Sequence, residues 1–196
     1  MNTSWSANNW DIVAVILAFI AIVVSGYTYW DSNYSFKLKS AVGKQVKLYV
    51  TKTDNSIIPV IFANISLFNN GGKTECLDDV KLVVEISTGQ QKENIDFVTI
   101  REYTDIFNDS ATITEILPIV VSAKSTTVKR YVFAKFPNIA RYNAPHKFKI
   151  KCTLFVQFKG EWIKQKTYES NEISDVWEDL DSNIFKSKII DIFEEK

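Results

Sequence analysis

The sequence predicts a mainly β protein: an N-terminal transmembrane helix, then an antiparallel β-sandwich of about seven strands, then a C-terminal amphipathic helix. Three observations predict this architecture. Residues 12–30 contain no charged side chain. Residues 44–170 repeatedly alternate apolar and polar residues, which is the period of half-buried strands. Residues 171–196 return to apolar spacings of three and four, which are helical.

The charges of this 196-residue chain cancel overall but are distributed unevenly. It contains 23 basic and 23 acidic residues, so its net charge does not draw it to nucleic acid, and we expect no nucleic-acid partner. Residues 1–31 carry a net charge of −2, residues 32–160 carry +7 and residues 161–196 carry −5. A hydrophobic content of 46% excludes a disordered chain, and two cysteines exclude a disulfide-rich scaffold.

The strongest signal is an uncharged segment near the start. Residues 12–24 are thirteen consecutive apolar residues, and the 19 uncharged residues 12–30 rise about 28 Å as a helix, close to the hydrocarbon thickness of a bilayer. We predict a short external tail over residues 1–11, a transmembrane helix over residues 12–30 and a juxtamembrane linker over residues 31–43. Aromatic side chains that would anchor the helix at the headgroups are Trp10, Tyr27, Tyr29 and Trp30.

Two other structures are compatible with an apolar segment of this length. A buried helix of a soluble protein would show a polar stripe, which residues 12–24 lack. A signal peptide cleaved after Gly26 would have a basic segment before the apolar one, and here only the terminal amine is positive. A retained transmembrane helix is therefore the interpretation that the residues favour.

The orientation of the helix follows from the position of the lysines. None precedes the helix and several follow it, so the positive-inside rule places the N-terminus outside and the β-domain in the cytoplasm, at the inner membrane. Four N-x-S/T sequons would suggest the opposite side, but a Lys to Arg ratio of 20 to 3 is typical of a bacterial coding bias, where sequons mean little. We expect Cys76 and Cys152 to be free thiols in a reducing compartment.

Small residues recur along one face of the predicted helix, at spacings of four, three and four. Such a seam lets neighbouring transmembrane helices approach closely, and it predicts a parallel homo-oligomer. The alternative is that alanine is simply common in such helices. The seam consists of Ala14, Ala18, Ala21 and Ser25.

The predicted β-domain covers residues 44–170. Its alternation is compatible with an antiparallel sandwich or a barrel, and we predict the sandwich. The sequence Asn69-Asn70-Gly71-Gly72 predicts a turn whose residues take positive φ. The predicted strands cover residues 46–50, 57–68, 80–86, 95–101, 126–133, 146–158 and 162–168.

The acidic segment 171–196 shows helical apolar periodicity, divided near Ser182, which is a candidate N-cap. We expect this helix to close an end of the sandwich, or else to pack against a partner or the membrane surface. The repeated positions are Val176, Trp177, Leu180, Ile184, Phe185, Ile189, Ile192 and Phe193.

No motif predicts catalysis, a metal or a cofactor. The acidic run 179–183 begins like a calcium loop, but Ile184 stands where the glycine should be and Ile190 where the bidentate glutamate should be. His146 has no evident partner for general base catalysis, and one histidine does not build a zinc site. We therefore expect no catalytic residues, no metal and no cofactor, and predict that the protein is not an enzyme.

Basic residues of the β-domain are candidates for contact with anions. Lysines close to the bilayer could contact anionic headgroups, and three lysines on one strand face could hold an anionic small molecule. The alternative is the solvated outer face of a half-buried strand. The residues are Lys37, Lys39, Lys44 and Lys47 near the membrane, and Lys147, Lys149 and Lys151 on the strand.

An N-terminal membrane helix, a compact β-domain and the Asn-Asn-Gly-Gly turn after the strand segment 65–68 together resemble small bacterial membrane-anchored proteins with immunoglobulin-like domains. This resemblance implies an immunoglobulin-like sandwich. The layout is also similar to that of membrane effectors of bacterial anti-phage systems. Two functions follow: a membrane-tethered module that binds a protein partner, or an oligomerising antiviral effector that disrupts the inner membrane when an anionic ligand or phage signal binds.

Overall fold

The computed structural model describes residues 4–53, 56–88, 91–103, 113–114, 118–135, 139–140, 147–174 and 185–195. Within these ranges the chain forms a long helix followed by β-strands. The elements are α1 (Ser4–Tyr34), β1 (Leu38–Thr53), β2 (Ser56–Asn69), β3 (Glu75–Leu77), β4 (Asp79–Thr88), β5 (Gln91–Tyr103), β6 (Ile113–Thr114), β7 (Ile119–Val121), β8 (Ser125–Ala134), β9 (Ile139–Ala140), β10 (Lys147–Phe158), β11 (Glu161–Ser170), β12 (Ile173–Ser174) and β13 (Phe185–Glu194).

The strands form a closed eight-stranded antiparallel barrel, so the predicted immunoglobulin-like sandwich is wrong. The strand order around the barrel is β1-β13-β11-β10-β4-β5-β8-β2, and β2 pairs again with β1. Alternation of buried and exposed residues is the same in both architectures, so it does not discriminate between them. The decisive feature is the pairing of β1 with β2, which runs from Leu38↔Asn69 to Thr53↔Ser56 and leaves no open sheet edge there.

The predicted C-terminal helix is also wrong where the structure describes it. Residues 185–194 form strand β13, inserted between β1 and β11. Ile190 and Ile192 point into the barrel and are buried, whereas Ile189 and Phe193 point outward and are exposed. The apolar residues of this segment fit both the helical period and the alternation of a strand. Pairing with the edges of β1 and β11 selects the extended form. The predicted positions from Val176 to Ile184, with Ser182, lie outside the described residues.

The junction between helix and barrel is shorter than the predicted linker over residues 31–43. Helix α1 continues to Tyr34 and strand β1 begins at Leu38, so three residues connect them. The barrel therefore follows directly after helix α1, without a spacer.

Apolar side chains fill the barrel. They come from every wall strand, and Phe97, Tyr131, Phe133 and Leu154 are among the largest that are fully buried. An eight-stranded barrel has an interior just wide enough for such side chains. A two-stranded sheet of β3 and β7 packs Leu77, with Ile119 and Val121, against the same core.

The outer wall carries ion pairs between neighbouring strands. Lys151 on β10 lies 3.3 Å from Glu169 on β11, and Lys81 on β4 lies 3.6 Å from Asp96 on β5. The outer face also exposes apolar side chains, such as Ile163 and Ile189, beside these charges.

Candidate functional site: the apolar helix, its junction and the barrel wall

Helix α1 is long and apolar enough to cross a membrane. The candidate span covers the 25 residues Trp10–Tyr34, and no residue of its most apolar part is buried by the rest of the protein. The helix is therefore not a core helix of the barrel. At about 1.5 Å per residue it is longer than the roughly 30 Å hydrocarbon layer.

The small-residue seam lies on exposed helix surface. Ala14, Ala18, Ala21 and Ser25 are all within α1 and all exposed, so no described part of the barrel covers them. The seam thus remains open to a neighbouring helix. Self-association through it is still a prediction.

Aromatic side chains gather where the helix meets the barrel. Trp30 stacks on Tyr34 at 4.9 Å between ring centroids, and Tyr29 meets Tyr34 edge-on at 6.3 Å. Tyr27 is exposed one turn earlier, and Trp10 is exposed at the other end of the span. Tyr34 was missed by the sequence reasoning because the predicted helix ended at residue 30. These rings are suited to the headgroup layer.

The turn after β2 holds the end of the helix against the barrel. A Cβ at Gly71 would overlap the backbone of Ser35, and a Cβ at Gly72 would overlap the backbone of Asn33 and Ser32. The two backbones can touch only because both turn residues are glycine. The predicted positive φ is wrong for these two glycines, since the positive-φ positions among the described residues are Lys124, Lys159 and Gly160.

Asn69 is the polar centre of this helix–barrel junction, which comprises residues 31–37 and 69–73. Its side chain is only 1% exposed. Oδ1 accepts hydrogen bonds from the amide of Gly71 at 2.9 Å and the amide of Lys37 at 3.3 Å. Nδ2 donates to the carbonyl of Lys73 at 2.7 Å and the carbonyl of Ser122 at 3.1 Å. One amide group thus binds three separate segments of the chain.

Backbone hydrogen bonds reinforce the junction. The amide of Lys73 donates to the carbonyl of Ser35 at 3.1 Å, and the amide of Asn70 donates to the carbonyl of Lys37 at 3.0 Å. Lys37 also forms an ion pair with Asp31 in the last turn of the helix. Backbone hydrogen bonds and side-chain contacts therefore both hold the end of the helix against the barrel.

The other membrane-proximal lysines do not cluster. Lys39 and Lys44 are exposed along β1 and form no ion pair with the described residues, and Lys47 lies over the ring of Tyr49 at 4.6 Å. Because β1 extends away from the helix, these lysines are spread along the barrel. Lys37 alone of the four lies within the junction.

The lysines of β10 are largely balanced by carboxylates. Lys151 contacts Glu169 and Glu195, and the hydrogen bond from Lys151 to Glu195 raises the pKa of the lysine. Lys147 lies 3.7 Å from Glu172. Lys149 is exposed between them. These ion pairs reduce the positive field that an anionic small molecule would need.

A cleft of about 480 Å³ opens in the barrel wall, and we call it the wall cleft. It lies where β1 and β13 separate. Their pairing ends at Gln45↔Asp191, next to an irregularity in β1 between Val42 and Val46. The sequence could not indicate this cleft because it depends on where two distant strands part. Its lining residues are Ala41, Val42, Lys44, Tyr168, Asp191, Ile192, Phe193 and Glu194.

The described residues bring no metal-binding group together. They contain no group of three or more His, Cys, Asp or Glu side chains placed to hold a metal ion. Cys152 is buried in the core, and this burial raises the pKa of its thiol to about 12, whereas Cys76 is exposed; both are free. His146 and the acidic run 179–183 lie outside the described residues.

No protein-family model, curated protein or solved structure matches this chain.

Proposed function

We propose that this protein is a non-enzymatic, membrane-tethered binding module, in which the helix anchors a β-barrel that binds a protein partner. The observation that carries the proposal is the junction. Asn69, Gly71 and Gly72 bind the end of an exposed apolar helix directly to the barrel. This arrangement holds one wall of the barrel at a constant orientation to the membrane, which favours binding of a partner at the membrane surface.

The proposed location is the inner membrane, with the N-terminus outside and the barrel in the cytoplasm. The lysines that follow the helix, beginning with Lys37 and Lys39, support this orientation. Cys76 is exposed and Cys152 is buried, so labelling of Cys76 by a membrane-impermeant maleimide reports on which side of the membrane the barrel lies. We expect labelling of Cys76 in inverted vesicles and none in intact spheroplasts. The intact mass of the membrane-extracted chain tests the competing signal peptide, which would lose residues 1–26.

The protein is further proposed to form a homo-oligomer through Ala14, Ala18, Ala21 and Ser25. The same seam supports the competing function, an effector of bacterial antiviral defence whose helices assemble to open the membrane. A tethered module needs only an anchor, whereas an effector needs these helix faces. The two functions therefore differ in how they depend on the sequence of the helix.

Liposome reconstitution separates these functions. The full chain, a variant with residues 10–26 replaced by an unrelated apolar helix, and Ala18→Leu are placed in vesicles that contain a quenched dye, and the same chains are expressed in bacteria. We expect no dye release and no growth arrest from any of them, and the exchanged helix should still bring the barrel to the membrane. Dye release by the full chain that Ala18→Leu abolishes would refute the module and support the effector.

A further inference from the structure

We propose that the barrel contacts the bilayer through its helix-side end, where lysines at turn tips bind the phosphate groups of lipids. The helix-side end consists of residues 35–37, 70–78, 119–124 and 158–160. This inference rests on the proposed function, since it requires that helix α1 anchors the protein, and it leaves the outer wall of the barrel to the protein partner. It is carried by the direction of the helix, by the depth of the turn after β2 and by two lysines with positive φ.

Helix α1 leaves the barrel instead of lying along its wall. Every residue from Trp10 to Trp30 is exposed, whereas residues 31–33 are partly buried where the helix meets the turn after β2. The barrel end at which β1 begins and β2 ends therefore faces the membrane that the helix enters.

The turn after β2 lies at the depth of the lipid headgroups. With residues 12–30 across the hydrocarbon layer, Tyr34 lies about 6 Å beyond it, and each headgroup layer is roughly 5–7 Å thick. A Cβ at Gly72 would overlap the backbone of Asn33 and Ser32, so this turn lies beside the last turn of the helix. Direct backbone contact fixes this depth more closely than a flexible linker could.

Two further turns lie beside this one. The turn between β7 and β8 is joined to it, because the amide of Lys124 donates to the carbonyl of Gly71 at 3.0 Å. The turn between β10 and β11 is also close, since the ring of Phe158 lies 5.1 Å from the ring of Phe36 between centroids. Lys159 follows in this turn, with its ammonium over the ring of Phe158 at 5.0 Å.

The two-stranded sheet of β3 and β7, which we call the cap, closes the barrel between these turns. β3 crosses from the end of β2 to β10, where the amide of Asp78 donates to the carbonyl of Gln157 at 2.9 Å, and β2 and β10 are opposite walls of the barrel. Leu77 is buried in the core, so the directly paired Cys76 and Val120, both exposed, face away from the barrel. The outer face of the cap is therefore directed toward the bilayer.

Lysines occupy the tips of the two neighbouring turns in an unfavourable backbone conformation. Lys124 has a φ of 50° and Lys159 a φ of 52°, and they are the non-glycine residues with positive φ among those that the structure describes. Glycine or asparagine is the ordinary residue at such positions. Turn geometry therefore does not account for these two residues, which we call the tip lysines, and residues held in such conformations cluster at binding and active sites.

The tip lysines act as individual donors, because carboxylates lie among them. Glu75 pairs with Lys73, and Asp78 accepts a backbone amide at 2.9 Å. Glu161 is exposed just after the turn between β10 and β11. The tip lysines are exposed and form no ion pair with the described residues, so their long side chains can donate charge-assisted hydrogen bonds to lipid phosphates. Neutral lipids carry this phosphate too, so the contact should not require anionic lipid.

The test uses the exposed thiol of Cys76 to report contact between the cap and lipid. A fluorophore on Cys76 of the full chain is observed in nanodiscs of neutral phosphatidylcholine that contain a lipid with a nitroxide on its headgroup, which quenches nearby fluorophores. Cys152 is buried and stays unlabelled. The matched control carries the fluorophore on Lys149→Cys in a Cys76→Ser chain. Residue 149 is exposed on β10, nine residues before the end of that tilted strand, and therefore lies roughly 20 Å farther from the bilayer.

We expect quenching at Cys76 to be at least about threefold stronger than at residue 149, because the headgroup layer is thin. Changing both tip lysines to glutamate should reduce quenching at Cys76 about twofold, whereas changing both to arginine should preserve it, since arginine also binds phosphate. Lys149→Glu should leave it unchanged, and circular dichroism of the strands verifies that each chain is folded. Equal quenching at Cys76 and residue 149, or equal quenching in the glutamate and arginine chains, would overturn the proposal.

The two proposals fail in different experiments. If Cys76 is not quenched but vesicles stay sealed and the exchanged helix still anchors the barrel, only the contact between the helix-side end and lipid is refuted. If the full chain releases dye through its helix seam, the module itself is refuted, whatever the quenching shows.

Discussion

Replacing Gly72 by alanine should loosen the helix from the barrel. A Cβ at this position would lie closer than 3.0 Å to three backbone atoms of the helix end, the Cα and carbonyl carbon of Asn33 and the carbonyl oxygen of Ser32. Backbone atoms cannot rotate away as a side chain does. The turn and the helix must therefore separate by roughly 1 Å to restore ordinary van der Waals contact.

The expected cost has two parts. Forced overpacking costs about 1–3 kcal/mol, and a contact with backbone belongs at the upper end. Separation also stretches the hydrogen bonds from Lys73 to Ser35 and from Lys124 to Gly71, each worth about 1 kcal/mol. The free energy of unfolding should fall by about 3–5 kcal/mol, a large part of the 5–15 kcal/mol typical of a domain.

Denaturant unfolding of the full chain in micelles, followed by circular dichroism of the strands, measures this loss. Amide hydrogen exchange locates it, because Lys73 donates across the junction and Lys124 donates to the displaced turn at Gly71, so both amides should exchange faster than amides inside the barrel. Gly26→Ala is the matched control, since nothing lies within 4 Å of a Cβ there, and helix propensity should make this change stabilising by up to about 1 kcal/mol, the opposite sign to Gly72→Ala. Unchanged stability and unchanged exchange at Lys73 in Gly72→Ala would refute the close backbone contact.

Three further predictions concern the helix, the wall and pH. Ala18→Leu should weaken self-association in a membrane two-hybrid reporter, whereas Ile16→Leu on the opposite helix face should not; equal signals would refute the seam. Tyr168→Phe should lower the free energy of unfolding by about 1–2 kcal/mol and speed exchange of the Val42 amide, and a protected amide would contradict this. Burial raises the pKa of Asp79, so the free energy of unfolding should decrease as the pH rises from the carboxyl's ordinary pKa of 3.8 through its folded pKa. Denaturant midpoints measured across this pH range should decrease less steeply in Asp79→Asn than in the unaltered chain. An equal decrease in both proteins would contradict this prediction.

The difference between the predicted sandwich and the observed barrel illustrates what alternation can predict. Leu82 and Val84 of β4, and Leu154 of β10, are buried in alternation along their strands, as the sequence indicated. That pattern assigns each residue to an inner or outer face, and it says nothing about which strands are neighbours. The pairing of β1 with β2, and the insertion of β13 beside β1, closed the sheet.

The junction and the wall cleft show why site prediction was incomplete. The Asn69-Asn70-Gly71-Gly72 motif was identified as a turn, but its glycines were assigned to positive φ when they serve close backbone contact. That contact joins residue 72 to residues 32 and 33, about forty positions apart. The lysines of β10 were grouped correctly on one strand, but Glu169, Glu172 and Glu195, which balance them, come from later segments.

The sequence by itself determined an apolar, uncharged helix long enough to cross a membrane, aromatic side chains at its ends and a chain that is otherwise mainly β. These properties are local, because burial against lipid or a barrel core depends on a residue's own polarity and its spacing along one element. Only the tertiary structure decided that the sheet closes, that residues 185–194 are a strand and that β1 and β13 part to form a cleft. These features depend on contacts between segments that are distant in sequence. The same alternation of apolar and polar residues is compatible with several strand pairings, and the strand edges left unpaired select among them.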